Sequence, residues 1–141
     1  MLDLSTLFEY DLWATRRWLL ALPILKDLGR AQEILEHMLF AQKVWLERVG
    51  VEVPNHTGNV PIGSLFDQLN RGWKHVAEEA DLNTTITYSN SRGEEFTNSI
   101  AEIAYHVVNH GSYHRGQLRG LAEAEGVDGF PDTDLIYFLR E

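Results

Sequence analysis

Three histidines recur at intervals of four residues in the stretch YHVVNHGSYHRGQL: His106, His110 and His114. Residues four apart lie on one face of an α-helix, so these imidazoles would point in the same direction. On a helical wheel His110 and His114 fall in line with apolar residues of the same segment, which predicts that they face the core. Unpaired imidazole nitrogens in a core cost stability, so the pattern indicates a shared partner.

A third histidine, His37, lies in line with the apolar residues Ile34, Ala41 and Val44 of an earlier segment. Two histidines at i and i+4 and a third from a facing helix are the usual arrangement for a divalent transition metal with an open coordination position. Such an ion lowers the proton affinity of a water or thiol. The sequence therefore predicts that His37, together with His110 and His114, binds a metal; the alternative is three hydrogen-bonded core histidines.

Several neighbours could support such a site. His106 could bind the metal, hydrogen-bond to one of its ligands, or lie at the entrance. Gln117 shares the face of the predicted ligands and could orient a bound group, whereas Arg115 is expected to form a salt bridge on a flank. Glu33, one turn before His37, is either a hydrogen-bond acceptor for that ligand or an exposed carboxylate.

The positions of three glycines and two further histidines indicate what these residues do in the fold. Gly111 weakens the helix by about 1 kcal/mol relative to alanine, which suggests that another backbone or a substrate comes close there. Gly116 and Gly120 lie on a different side, where they suit close helix packing within the fold or across a dimer, or are simply tolerated. His56 and His75 fall outside the histidine alignment and are expected on the surface.

The elements that would position these residues follow from hydrophobic periodicity. Apolar residues at three- and four-residue steps predict four amphipathic helices, at about 4–22, 27–49, 62–80 and from 97 or 98 to 125. Pro23 should end the first helix, and Gly50 should stop the second.

The connections complete the predicted architecture. Residues 51–61 are aperiodic and can reach roughly 36 Å when extended, enough to return along a helix of roughly 33 Å. The segment 84–97 alternates apolar residues with threonines and predicts a small hairpin or an extended loop. The tail PDTDLIYFLRE has a helix N-cap candidate at Asp132 or Thr133, and its aromatics should pack on the body. We expect an all-α, four-helix bundle forming a single domain over residues 1–141.

Composition limits the classes of partner. There are 21 acidic and 12 basic residues, a net charge of −9, which disfavours nucleic acid and anionic membrane surfaces and leaves a small-molecule substrate. The chain has no cysteine, so any thiol chemistry must use a thiol from outside. The first residues show neither a signal-peptide nor a membrane-span pattern, so the expected location is cytoplasmic.

Four segments, in order, resemble the DinB family, also called the DinB/YfiT-like metalloenzymes: YDLWATRR, EHMLFAQKVWLERV, NHGSYHRGQL and PDTDLIYFLRE. In the first, Asp11 and Thr15 replace the family's usual asparagines. The second and third place His37, His110 and His114 at the family's metal-ligand positions.

The resemblance implies an up-down-down-up bundle with a long crossover between helices 2 and 3, a divalent metal such as zinc or nickel, and a homodimer. Relatives include S-transferases and an isomerase that use low-molecular-weight thiols such as bacillithiol or mycothiol. The leading hypothesis is therefore a metal-dependent enzyme that transfers such a thiol to a small electrophile. The alternatives are a metal-dependent hydrolase using metal-bound water and a non-catalytic metal-binding stress-response module.

Overall fold

A computed structural model describes residues 2–56 and 58–141. Its elements are α1 (Leu4–Ala21), a 3₁₀ helix (Leu22–Ile24), α2 (Leu28–Arg48), α3 (Ile62–Glu79), β1 (Thr85–Ser89), β2 (Glu95–Ser99), α4 (Ile100–Ala124) and α5 (Leu135–Leu139). Helix α1 packs against α3 and α4, and α2 packs against the same two helices. Within the described ranges, every helix is too short or too polar to span a lipid bilayer.

The prediction of an all-α four-helix bundle is wrong, because the structure contains five α-helices and a two-stranded antiparallel sheet. The hydroxyls of Thr87 and Thr97 hydrogen-bond across the strands at 2.9 Å, and the Tyr88 hydroxyl donates to Asn98 Oδ1 at 2.6 Å. Gly93 supplies the positive φ of 78° that the turn between the strands requires. Backbone and side-chain pairing therefore confirms the small hairpin, one of the two forms predicted for residues 84–97, over the extended loop.

Capping side chains set the starts of α1, α2 and α4. Asp3 and Asp27 each accept a backbone N–H from the first turn, of α1 and α2 respectively. Helix α4 begins at Ile100, later than predicted, because the preceding residues belong to β2. There Ser99 Oγ accepts the Glu102 N–H at 3.1 Å while Glu102 Oε2 accepts the Ser99 N–H at 2.9 Å, a reciprocal capping box.

Two helix ends also differ from the prediction. Helix α1 ends at Ala21, and Pro23 lies inside the following 3₁₀ helix, since proline fits the first turn of a helix. The N-cap of α5 is Asp134 rather than Asp132 or Thr133. The tail aromatics do pack on the body: the Phe138 ring centroid lies 5.9 Å from that of Tyr10 and 5.5 Å from that of Trp13.

The core consists of two apolar clusters with a polar layer between them. In one cluster Phe8 stacks on Trp73 with ring centroids 5.2 Å apart; the other surrounds Trp18 and Leu118. Six buried polar residues form the polar layer: Asp11, Thr15, Gln42, Asn70, His114 and Arg115. In α1 and α4 these residues lie in sequence between the apolar residues of the two clusters, so the clusters hold the polar layer in place.

Candidate metal centre

Three histidines from two helices converge at one edge of the polar layer. His37 comes from α2, and His110 and His114 come from successive turns of α4. The His110 Nε2 atom lies 3.0 Å from His114 Nε2 and 3.3 Å from His37 Nε2. One ring nitrogen from each residue lies within 4.8 Å of the others, so the cluster could hold a metal ion.

The spacing of these nitrogens matches the donor set of a tetrahedral metal. With metal–nitrogen bonds of about 2.0–2.1 Å, two ligand atoms of a tetrahedron are about 3.3 Å apart. The separations of 3.0 and 3.3 Å are close to that value. Neutral imidazole lone pairs facing each other at this distance need a proton or a cation between them. The three residues therefore fit a divalent ion with a further position left open.

Gln117 fixes which nitrogen of His114 faces the cluster. Gln117 Oε1 lies 2.6 Å from His114 Nδ1, and a carbonyl oxygen can only accept a hydrogen bond. The imidazole hydrogen is therefore on Nδ1, and Nε2 presents its lone pair to the other two histidines. A partner of this kind sets the tautomer and the ring orientation of metal-binding histidines.

The protein environment favours the neutral, metal-binding form of two of these histidines. Partial burial lowers the pKa of His110 to about 4, helped by the positive charge that His114, His37 and His106 would carry when protonated. Burial and the proximity of His114 also lower the pKa of His37. Protons thus compete poorly for these nitrogens at neutral pH.

The cluster is open on one side, in contrast to the prediction of three inward histidines. His114 is 9 % exposed and His110 is partly buried, but His37 is exposed. The buried stripe of α2 runs through Leu35, Met38 and other residues rather than along the line of His37. Because His37 lies at the edge of that stripe, solvent or a small molecule can reach the cluster.

His106 and Glu33, which the sequence suggested as supports for the metal site, lie outside the cluster. His106 lies one turn before His110, with 5.7 Å between their ring centroids, and packs edge-on against Trp45 at 5.1 Å. Burial lowers the pKa of His106. Glu33 is on the exposed face of α2, where its carboxylate pairs with Arg30 at 3.2 Å.

A buried ion pair within the polar layer ties the ligand helices together. Arg115 Nη1 donates to Asp11 Oδ1 at 2.6 Å, and both side chains are only 2 % exposed. Gln42 Nε2 donates to Asp11 Oδ2 at 3.0 Å, and Arg115 Nη1 also donates to Thr15 Oγ1 at 3.2 Å. The Asp11 carboxylate in α1 thus joins α2 to α4, the two helices that carry the histidines. Arg115 does form a salt bridge, but in the core rather than on a flank.

The same carboxylate explains the glycine next to His110. A methyl group at Gly111 would overlap Asp11 Oδ1 and would come within 3.0 Å of Arg115 Nη1. The space that Gly111 leaves is therefore occupied by the Asp11 side chain of α1. It is not occupied by another backbone or by a substrate, as the sequence had suggested.

Sequence reasoning missed the Asp11–Arg115 pair, although a signal was present. Buried positions of α1 follow the spacing Leu4, Phe8, Asp11, Thr15, Trp18, which alternates steps of four and three. A carboxylate at such a core position requires a buried partner. The partner is 104 residues away in sequence and could not be identified from periodicity.

The remaining histidines and glycines also have clear positions. His56 and His75 are exposed, as predicted, and His56 hydrogen-bonds to Gln68. Around Gly116 and Gly120 an added methyl group would meet open space, so neither serves close packing within the described chain.

Comparison with known proteins identifies relatives of this chain. The family model of the DinB family matches residues 7–137. Protein DinB of Bacillus subtilis (strain 168) is 23 % identical over 161 aligned positions, which cover 96 % of this chain and 94 % of that protein. No solved structure gives a significant match.

Proposed function

Since the chain belongs to the DinB family, we propose that it is a metal-dependent enzyme that transfers a low-molecular-weight thiol to a small electrophile. His37, His110 and His114 are the proposed ligands of a divalent ion, zinc or nickel. The convergence of their Nε2 atoms, 3.0 and 3.3 Å apart on a side open to solvent, is the observation that carries the proposal.

When bound, a divalent ion held by three neutral imidazoles keeps its full charge and lowers the proton affinity of a thiol, whose free pKa is about 8.5. The chain contains no cysteine, so the thiol is a second substrate. Its sulfur forms a bond to the electrophilic carbon, the leaving group departs with the bonding electrons, and the thiol proton passes to solvent.

Each residue at the centre has a defined part in this proposal. Gln117 holds the Nδ1 hydrogen of His114 and keeps the opposite nitrogen directed at the ion. His110 stays neutral at pH 7, because its pKa is about 4. His37 lies on the open side, where the substrates enter.

The composition of the cluster separates thiol transfer from metal-dependent hydrolysis. A hydrolase needs a general base beside the nucleophilic water. In the described part of the chain, no carboxylate belongs to the cluster and Glu33 is paired with Arg30, so a hydrolase would depend on the more distant His106 as its base. Thiol transfer requires no carboxylate at this position, so we favour it.

The net charge and the free side of α4 support proposals for the cellular location and the oligomeric state. A net charge of −9 suits a small-molecule enzyme of the cytoplasm. The open space beside Gly116 and Gly120 leaves one side of α4 free for close approach of a second copy, so we propose a homodimer.

Elemental analysis by plasma mass spectrometry tests the metal site. Wild-type protein should contain about one zinc or nickel ion per chain after reconstitution and desalting, and His114→Ala should contain almost none. His75→Ala, at an exposed histidine of α3, is the matched control and should keep the ion. Absence of metal from reconstituted wild type would refute the site.

Turnover then tests the reaction. Metal-loaded protein should consume a thiol only when an electrophile is present, and His114→Ala should lose that activity. Full metal occupancy without activity towards any thiol would favour a non-catalytic metal-binding module. Ester hydrolysis without thiol would favour the hydrolase.

A further inference from the structure

A cavity lies one turn of α4 before the histidine cluster, beside His106. It has a volume of about 240 Å³ and lies between α2, the hairpin and α4. Six residues line it: Trp45, Tyr88, Asn98, Glu102, Ile103 and His106. His106 connects it to the cluster, since its ring centroid is 5.7 Å from that of His110. A molecule bound in this cavity would therefore lie about one helical turn, about 5.4 Å, from the cluster.

Three of the six residues that line this cavity are aromatic: Trp45, Tyr88 and His106. The Trp45 ring meets Tyr88 edge-on, with centroids 5.0 Å apart and planes at 77°, and meets His106 at 5.1 Å and 66°. The Arg48 guanidinium, which is not among the lining residues, lies over both Trp45 and Tyr88, at 4.5 and 4.9 Å from their centroids. These contacts hold the rings in fixed orientations, and such walls favour a flat aromatic group.

The polar end of the cavity presents a carboxylate. The Tyr88 hydroxyl donates to Asn98 Oδ1, and Asn98 Nδ2 donates to Glu102 Oε2 at 3.0 Å. Glu102 Oε2 also accepts the Ser99 N–H. The hydrogen bonds from Asn98 and from the Ser99 N–H lower the pKa of Glu102, whose side chain is exposed, so it is ionised at neutral pH. Both of them use Oε2, which leaves Oε1 available to a donor or cation on a bound molecule.

We propose that this cavity binds the aromatic part of the electrophile, and that it accepts neutral or cationic molecules and rejects anionic ones. The proposal rests on the thiol transfer proposed above and names the class of its second substrate. The ring would pack against Trp45, Tyr88 and His106, and a hydroxyl or ammonium group would face Glu102. The net charge of −9 acts in the same direction, since it repels anions from the whole surface.

Three nitroaromatic probes of nearly equal shape can test the charge preference: 4-nitrobenzyl alcohol, 4-nitrobenzylamine and 4-nitrobenzoate. A nitro group close to an indole quenches its fluorescence, so binding beside Trp45 is measured by saturable quenching in metal-loaded protein. The alcohol and the amine should saturate. The benzoate should bind about fivefold more weakly, since its carboxylate would face the exposed, solvent-screened carboxylate of Glu102.

Two sets of variants locate the site. Trp45→Leu and Tyr88→Leu should each weaken binding of the alcohol at least tenfold, the former read by calorimetry because the reporter is removed. Trp13→Phe, at the indole that packs on Phe138, is the matched control and should bind normally. Glu102→Gln keeps a residue able to complete the capping box and removes the charge. It should bring the affinities of amine and benzoate within about twofold of each other.

The outcomes separate this proposal from the proposed reaction. Saturable binding that is lost in Trp45→Leu and Tyr88→Leu but kept in His114→Ala supports the cavity, even if no thiol is ever transferred. Thiol transfer to electrophiles without any quenching at Trp45 would overturn the cavity and leave the reaction standing. Equal affinity of wild type for all three probes would overturn the charge preference, and unchanged binding in both leucine variants would overturn the location.

Discussion

Replacing Asp11 should test how much the buried ion pair stabilises the fold. Its carboxylate accepts hydrogen bonds from Arg115 at 2.6 Å and from Gln42 at 3.0 Å, and its side chain is 2 % exposed. In Asp11→Ala the Arg115 guanidinium would remain buried with only neutral partners: the hydroxyls of Thr15 at 3.2 Å and Ser112 at 3.3 Å, and the backbone carbonyl of residue 11 at 3.4 Å. Neutral acceptors cannot compensate a charge removed from water.

The expected cost is large compared with the stability of a domain. Removing one partner of a buried ion pair costs about 3–5 kcal/mol, and the free energy of unfolding of a domain is only about 5–15 kcal/mol. Asp11→Asn keeps a neutral acceptor of the same shape and should cost less than Asp11→Ala. Asp11→Ala combined with Arg115→Met removes both charges and should recover part of the loss.

Urea unfolding at pH 7, followed by far-UV circular dichroism, measures these differences. Asp67→Ala is the matched control, because Asp67 pairs with Arg16 at a similar distance of 2.7 Å but the side chains are 31 % and 56 % exposed. That substitution should cost less than about 1 kcal/mol. If Asp11→Ala costs no more than Asp67→Ala, or if the double variant is less stable than Asp11→Ala alone, the reasoning from burial is refuted.

Three further predictions concern the surroundings of the cluster. Gly111→Ala should destabilise the fold by about 1–3 kcal/mol through overlap with Asp11, whereas Gly116→Ala, facing open space, should be neutral or stabilising by up to about 1 kcal/mol; thermal unfolding of both variants checks this, and equal effects would count against the overlap. In chelated protein, folded His110 has a pKa of about 4 and the unfolded residue about 6.5, so between these values the unfolded chain binds more protons and stability falls as pH decreases. Melting temperatures measured from pH 7 to pH 4 should therefore fall less steeply in His110→Gln than in wild type. Identical slopes would contradict the lowered pKa of His110. Gln117→Leu removes the acceptor that orients its histidine and should weaken zinc binding about 10–100-fold in a chelator competition assay; an unchanged affinity would show that the hydrogen bond does not matter.

Local chemistry made several features predictable. A spacing of four residues places His110 and His114 on one face of a helix whatever the rest of the fold does, and their nitrogens do converge. Gly50 follows the end of α2 with a positive φ of 96°, as expected for a helix stop. Surface positions such as His75 followed from their place off the apolar stripe.

Other features depended on how the elements pack. The all-α assignment failed because contacts between β1 and β2 decide between a hairpin and an extended loop, the two forms that the sequence predicted for this segment. The pairing also moved the start of α4. His37 lies at the edge of its apolar stripe because neighbouring helices determine how α2 is rotated.

The sequence by itself determined which residue types share a helix face and where several helices begin and end, because these depend on interactions within a few residues. The tertiary structure decided which faces meet. The burial of Asp11 is explained by its pairing with Arg115, and that of Arg115 by its pairing with Asp11. The two residues are 104 positions apart in the chain. Helical periodicity defines the direction of a side chain around its own axis, but the distance and rotation between helices result from packing of the whole core.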